Sequence, residues 1–278
     1  MAFTGVSVRE ALDSAVIAIT AAESQTPRLD AEVLLAHALG IDRTALFLDP
    51  SRTVTGPAVQ TFQGFVQRRS AGREPVAYIV GSKGFRRLDL EVDPRVLIPR
   101  PETETLVEAA VEDIARGATV VDMGTGSGAV ALALADERAD LEVVATDVSP
   151  EALEVARANA ARLGLGDRVR FVAADLLEGL SEAPEAIVAN PPYVTEGERA
   201  TLSPEILRHE PGQALFAGAD GLAVIRRLVA AVPSATRYVA LEVGAGQAPA
   251  VQALFDGPWV TSTRRDLAGI ERVVVARR

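Results

Sequence analysis

Strand and helix alternate from residue 118 onward, and no other feature limits the fold of this chain as strongly. Thr119 to Met123 reads as a strand, Ala129 to Glu137 as a helix and Glu142 to Thr146 as a second strand. Ser149-Pro150-Glu151 then opens a helix with a cap, a helix-compatible proline and a first-turn acid. Further strands are expected over Val169 to Ala173, Ala186 to Ala189, Tyr238 to Val243, Trp259 to Thr263 and Arg272 to Ala276. Such alternation implies right-handed crossovers and a parallel sheet with helices on both faces. The link between the last two strands, Arg264 to Glu271, leaves no room for a helix, so these strands pair antiparallel. The expected fold is α/β: a Rossmann-like sheet, mostly parallel with its last strand antiparallel.

The preceding residues read differently. Ser7-Val8-Arg9-Glu10 is a capping-box pattern, and Val8, Leu12, Ala15, Val16 and Ile19 recur at helical spacing. Leu29 to Leu39, ended by Gly40, is a second helix, and Thr44 to Leu48 and Pro57 to Arg69 are two more. Up to Lys83, eight basic residues balance eight acids. The formal charge of −10 therefore lies in the rest of the 278 residues. A small neutral helical module beside a larger acidic one suggests a domain that docks a partner. Tyr78 to Val80, Gly81 to Gly84 and Phe85 to Val92 read as a hairpin bridging the two. The expected divisions are 1–75, a helical docking domain; 76–95, a hairpin linker; and 96–278, the α/β domain.

Composition narrows the chemistry. An acidic chain is poorly suited to partners held mainly by phosphate neutralisation. With no cysteine, the chain has no disulfide, thiolate metal site or cysteine nucleophile. Two histidines, His37 and His209, make a multi-histidine metal site untenable, and no metal is expected. The N-terminus lacks a basic start followed by an apolar run, and no uncharged apolar stretch reaches the roughly 18 residues of a membrane helix. The expectation is a soluble, cytoplasmic protein.

Val121-Asp122-Met123-Gly124-Thr125-Gly126-Ser127-Gly128 closes the first strand of the α/β domain. Glycines there let a ligand approach the backbone, and the turn feeds a helix N-terminus. Asp147 ends the next strand, 23 residues after Gly124, where an acid can accept hydrogen bonds from both hydroxyls of a ribose. Together they indicate an adenosine-type cofactor. The loop alone leaves NAD open, since Gly124-x-Gly126-x-x-Ala129 satisfies the relaxed dinucleotide pattern. Leu241 to Gln247 repeats the glycine spacing superficially and reads as a strand end and a helix start.

Ala189-Asn190-Pro191-Pro192-Tyr193 follows the fourth strand, at the edge of the sheet where ligands bind in such folds. An amide or planar amine nitrogen is a poor nucleophile because its lone pair is delocalised. The Asn190 side-chain oxygen and the Pro191 carbonyl can each accept one hydrogen of an NH2 group. Two such acceptors orient the nitrogen and favour its pyramidal form as a bond develops. Successive prolines stiffen the turn, and Tyr193 offers an aromatic wall that favours cations.

On these residues the chain resembles the S-adenosylmethionine-dependent methyltransferases that modify NH2 groups through an Asn-Pro-Pro-Tyr tetrapeptide. It is most similar to the peptide chain release factor glutamine-N5 methyltransferases. The resemblance spans nearly the whole chain, through Arg73 to Gly81, Leu97 to Glu104, Asp122 to Gly128, Asn190 to Tyr193, Glu210-Pro211, Ala214-Leu215 and Asp220 to Leu222. It implies the class I methyltransferase fold, S-adenosyl-L-methionine as cofactor, and as substrate the glutamine of a Gly-Gly-Gln loop in class-1 release factors. It implies no direct nucleic-acid or membrane partner. Carried over, Gly124, Thr125, Gly126, Ser127 and Gly128 wrap the methionine part of the cofactor and Asp147 holds its ribose. Asp175 contacts the adenine, with Leu176 as an aliphatic wall where several relatives carry a large aromatic. Asn190, Pro191, Pro192 and Tyr193 hold the glutamine amide. The loop from Arg100 to Glu104 lines or covers the pocket.

His209 and Glu210 could supply a general base, but a surface loop beside Pro211 is the favoured reading. His37 is expected to be structural. The competing functions are a DNA adenine-N6 methyltransferase, disfavoured by the acidic larger domain, and an NAD oxidoreductase, disfavoured by Asn190 where an acid–base pair is needed. A non-catalytic cofactor-binding subunit is disfavoured by the intact tetrapeptide.

Overall fold

A computed structural model describes residues 5–180 and 183–278. The reading of a missing leader falls partly on residues 1–4, outside the described residues. The chain divides into two units, one comprising the residues up to Gly81 together with Ser203–His209, the other Ser82–Leu202 and Glu210–Arg278.

In the first unit a two-residue strand, β1 (Val6–Ser7), leads into α1 (Val8–Ala21). The capping box forms: Ser7 Oγ accepts from Glu10 N at 3.2 Å, and Glu10 Oε2 accepts from Ser7 N at 2.9 Å. There follow α2 (Pro27–Leu39), α3 (Thr44–Leu48), β2 (Thr53–Val54), α4 (Pro57–Ser70) and α5 (Val76–Val80). Leu12, Ile19, Leu34, Leu35, Leu46 and Phe62 bury the shared core. The His37 and Phe65 rings pack at 5.5 Å, tilted by 41°.

The strand expected at Tyr78 to Val80 is corrected by α5. Pro75 precedes this helix and Gly81, at φ 76°, ends it in the left-handed conformation. So short an apolar run carries no periodicity that separates helix from strand. The hairpin pairs instead β3 (Ser82–Phe85) with β4 (Leu88–Glu91), in the second unit, where Phe85, Leu88 and Leu90 join the core.

The second unit continues with α6 (Glu104–Asp113), β5 (Thr119–Met123), α7 (Ala129–Glu137), β6 (Glu142–Asp147), α8 (Pro150–Arg162), β7 (Val169–Ala173) and β8 (Ala186–Ala189). The short α9 (Pro204–His209) belongs to the first unit. It places Glu205 against Arg69 of α4, whose guanidinium donates at 2.7 Å to both Glu205 and Asp30. Arg73 grips the same Glu205 at 2.9 Å. The chain then completes the second unit with α10 (Ala223–Ala231), β9 (Tyr238–Glu242), α11 (Ala248–Gln252), β10 (Val260–Arg265) and β11 (Glu271–Arg277).

The seven strands lie in the order β10-β11-β9-β8-β5-β6-β7. All neighbours from β9 to β7 are parallel, while β11 runs antiparallel to both β9 and β10. The mixed sheet with an antiparallel last strand is therefore as expected. Successive strand residues feed opposite cores: Val120 packs with Leu106, Leu132 and Leu134, whereas Val121 packs with Ile225, Leu228 and Val251. From β5 the chain winds one way to β6 and β7 and the other way to β8 and β9. The order reverses between β5 and β8, the crevice where such sheets bind ligands. Among the described residues no helix is long and apolar enough to cross a membrane.

Candidate active site

A cavity of about 310 Å³ opens at the carboxyl ends of β5, β6, β7 and β8. Its floor is the glycine turn after β5. Gly124 N and Thr125 N both donate to the Thr146 carbonyl at 2.9 Å, which ties the turn to the neighbouring strand. Gly124 and Gly126 take φ 72° and 55°, and a Cβ built on either meets nothing within 4 Å, so the backbone faces open space. Gly128 does not line the cavity. It caps α7 at φ 85°, where a Cβ would stand 3.0 Å from Leu132 Cδ1.

Two carboxylates brace this turn. Asp122 accepts from Thr125 Oγ1 at 2.6 Å and from Ala131 N at 3.0 Å. Complete burial pushes its carboxyl up to about 7, with those two bonds pulling the other way. Asp147, at the end of β6, accepts from Gly126 N and Ser149 N, both at 2.9 Å. Burial raises its pKa, and the backbone bonds oppose the rise. Each Asp147 oxygen retains acceptor capacity beyond its backbone partner. Asp175 and Leu176 line the cavity after β7, Leu176 at φ 58°. Arg227 of α10, which the sequence did not single out, holds Asp175 at 2.7 Å and lines the same wall.

Asn190, Pro191 and Pro192 line the cavity beyond β8. Asn190 Nδ2 donates to Thr103 Oγ1 at 3.1 Å. Tyr193 lies outside the lining, and its hydroxyl donates to Glu242 Oε1 at 3.4 Å. Burial, with the Glu242 charge adding to it, raises the Tyr193 hydroxyl to about 12. The tetrapeptide is buttressed from behind: Gln247 Nε2 donates to the Tyr193 carbonyl at 3.0 Å while its Oε1 accepts from Gly244 N at 2.8 Å. Thus Leu241 to Gln247, read as structural, supports the reaction turn directly. Glu242 is fully buried. Burial pushes its carboxyl up to about 7, opposed chiefly by the Thr103 hydroxyl and the Arg272 guanidinium.

The proline loop before α6 contributes Leu97, Pro99, Arg100 and Thr103 to the lining. Glu210 anchors it, accepting from the Arg100 guanidinium and from Ile98 N at 3.3 Å. The surface-loop reading of Glu210 is therefore corrected: its carboxylate is buried, and a cation and a backbone N–H offset the cost of removing it from water. His209 does not line the cavity; its Nε2 lies 2.9 Å from the Gly72 carbonyl within the first unit. Among the described residues no three His, Cys, Asp or Glu side chains gather in a way that could hold a metal ion.

Two family models match, a PrmC N-terminal domain over residues 10–81 and a methyltransferase small domain over residues 101–235. The hMettl16 catalytic domain, solved in complex with MAT2A 3'UTR hairpin 1, superposes with a TM-score of 0.55 over 82% of this chain and 83% of its own. At 17% identity that likeness is one of fold alone. The release factor glutamine methyltransferase of Mycolicibacterium smegmatis is 47% identical over 80% of this chain and 78% of its own length. That of Deinococcus radiodurans is 42% identical over 277 residues, 98% of both chains. Identity at this level along nearly the whole of both chains makes this protein a member of the release factor glutamine methyltransferase family.

Proposed function

We propose that this chain methylates the side-chain amide nitrogen, N5, of the glutamine in the Gly-Gly-Gln loop of class-1 peptide chain release factors. The observation that carries the reading is one cavity lined both by Gly124 to Ser127 with Asp147 and by Asn190 with its two prolines. The residues fit S-adenosyl-L-methionine. Gly124 and Gly126 leave open space beside the backbone where the amino-acid part would lie, Asp147 would accept from the ribose hydroxyls, and Asp175 and Leu176 would flank the adenine. Bound there, the cofactor supplies an electrophilic methyl group and leaves as S-adenosylhomocysteine.

The chain's own residues handle the amide. Asn190 Oδ1 and the Pro191 carbonyl each accept one N–H, which turns the nitrogen lone pair toward the donor and stabilises positive charge as it develops. Pro192 stiffens the turn, and Tyr193, held at its hydroxyl and its carbonyl, sets the turn's position rather than forming a cavity wall. The alkylated nitrogen is strongly acidic and loses its proton to water, so no protein base is needed.

The first unit is the proposed docking surface for the release factor, in the cytoplasm where that substrate works. Its near-neutral charge and exposed apolar side chains such as Ile17, Phe47 and Leu48 support this. Incubation with the cofactor and a purified release factor, followed by mass spectrometry, tests the function: one added methyl on the Gly-Gly-Gln glutamine is expected, and an unmodified factor overturns it.

A further inference from the structure

Glu242 has no task in the reaction as described, yet its carboxylate is entirely buried, and its Oε2 accepts no hydrogen bond among the described residues. An apolar residue would fill a sheet position at lower desolvation cost. Its place is specific: Ala189 of β8 pairs with Leu241 of β9, so Glu242 and Asn190 leave adjacent parallel strands at the same level. The Thr103 hydroxyl accepts from Asn190 Nδ2 at 3.1 Å and favours the charged form of Glu242.

We propose that Glu242 and Thr103 are positioning residues that turn the Asn190 side-chain oxygen toward the cavity, and so make the site select an amide NH2 over a carboxylate. The inference rests on the reading of the site as a glutamine-amide methylation site. The two ends of a side-chain amide are nearly the same size, so hydrogen-bond partners decide which end faces which way. An ionised carboxylate only accepts. With Asn190 Nδ2 donating to its oxygen, Thr103 must turn its own hydrogen elsewhere; the Glu242 carboxylate, whose charged form Thr103 favours, is the acceptor this inference assigns to it, and Asn190 Oδ1 is left for the substrate. Reversed, Asn190 would present donors to the cavity, which suit the carboxylate of a glutamate.

The same logic sets a direction with pH. A protonated Glu242 can donate to Thr103, which frees the Thr103 hydrogen for Asn190 Oδ1 and reverses the amide. The groups facing Glu242 are the Thr103 and Tyr193 hydroxyls, the Arg272 guanidinium of β11, and the Glu102 carboxylate. Arg272 is itself committed to Asp266 at 3.1 Å and to the Val243 carbonyl at 3.3 Å. Burial is the largest influence and leaves the carboxyl titrating at about 7, so the active orientation is lost as pH falls through that value.

The test compares the intact protein with Glu242→Gln, Thr103→Val and Thr103→Ser. The probes are a purified release factor and its variant with glutamate in the Gly-Gly-Gln loop. Binding is measured calorimetrically with S-adenosylhomocysteine present, and methyl transfer by mass spectrometry across pH 6 to 8. Thr103→Val is expected to lose about tenfold or more in kcat and in preference for the glutamine factor, with cofactor affinity held within about twofold. Thr103→Ser is expected to restore both, and Glu242→Gln to remove the acid limb of the kcat profile. If Glu242→Gln does not fold, the valine and serine pair decides alone. Wild-type preference and kcat in Thr103→Val overturn the positioning role while leaving the methylation reading intact. An intact protein that transfers no methyl overturns the reading and the inference with it.

Discussion

Asn190 donates its Nδ2 hydrogen to the Thr103 hydroxyl at 3.1 Å, a bond between residues 87 apart in the chain. It ties the reaction turn to the proline loop and spends the donor end of the amide away from the cavity. Asn190→Ala is expected to lose on the order of 10²–10³ in kcat, as when one preorganised transition-state contact is removed. Cofactor affinity should change far less, since the contact matters most in the transition state. Single-turnover methylation at saturating cofactor checks this, and a near-wild-type chemical step would remove Asn190 from the mechanism.

Asp147→Ala should weaken S-adenosylmethionine by roughly 1.5–3 kcal/mol through loss of a charged acceptor. Part of the loss comes from Gly126 N, which gives up its 2.9 Å acceptor and with it one tie of the glycine turn. Titration calorimetry measures the change, and an unaltered affinity would detach Asp147 from the cofactor.

Gly221 stands at φ 72° with an added Cβ falling 2.2 Å from the Tyr193 carbonyl oxygen. Gly221→Ala must displace the tetrapeptide or the loop against it. A shift of about 1 Å there is expected to cost on the order of 10² in kcat with the cofactor still bound. Wild-type kcat in this variant would show that the turn tolerates movement.

Asp122 carries a pH signature. Its carboxyl has an ordinary value of 3.8 and titrates near 7 when buried in the folded chain. Between those values the folded state keeps a proton that the unfolded state has released, so this group's contribution is greatest below about pH 4 and declines toward pH 7. Asp122→Asn removes that dependence. Measured without cofactor, the Tm of the variant relative to wild type should rise as pH increases from 4 to 7. A difference that stays flat with pH would show that Asp122 is ionised throughout.

Arg69 is buried against Asp30 and Glu205, its side chain 8% exposed. Arg69→Ala leaves Asp30 without its cation in a poorly hydrated place, with Glu205 held by Arg73 alone, and should cost roughly 3–5 kcal/mol in urea unfolding. A loss below 1 kcal/mol would mean that water reaches the pair.

Much of the site was legible because its signals are local. A strand, three glycines and an acid 23 residues on are one contiguous pattern, and the turn forms where that pattern lies. Asn190, Pro191 and Pro192 likewise form one continuous turn. What stayed hidden is what comes from elsewhere in the chain. Thr103, Glu242 and Gln247 reach the turn from the proline loop, from the end of β9 and from the turn after it, and Arg227 reaches Asp175 across 52 residues. No short-range spacing encodes such pairings. Tyr193 follows the same pattern: an aromatic after two prolines reads as a wall, while its hydroxyl and carbonyl are held by Glu242 and Gln247 outside the cavity lining. Tyr78 to Val80 failed differently, because Pro75 and Gly81 decide that segment and its apolar run does not.

The assignment of Ser203–His209 to the first unit also sets the order in which the protein can finish folding. Glu205 follows Arg69 by 136 residues. At about 5–20 residues per second, the ribosome takes on the order of 10–30 s to supply it. Throughout that interval the helices of the first unit hold Arg69 with Asp30 alone, while the central strands β5 to β8 emerge. The part of the chain made first is therefore among the last to be completed.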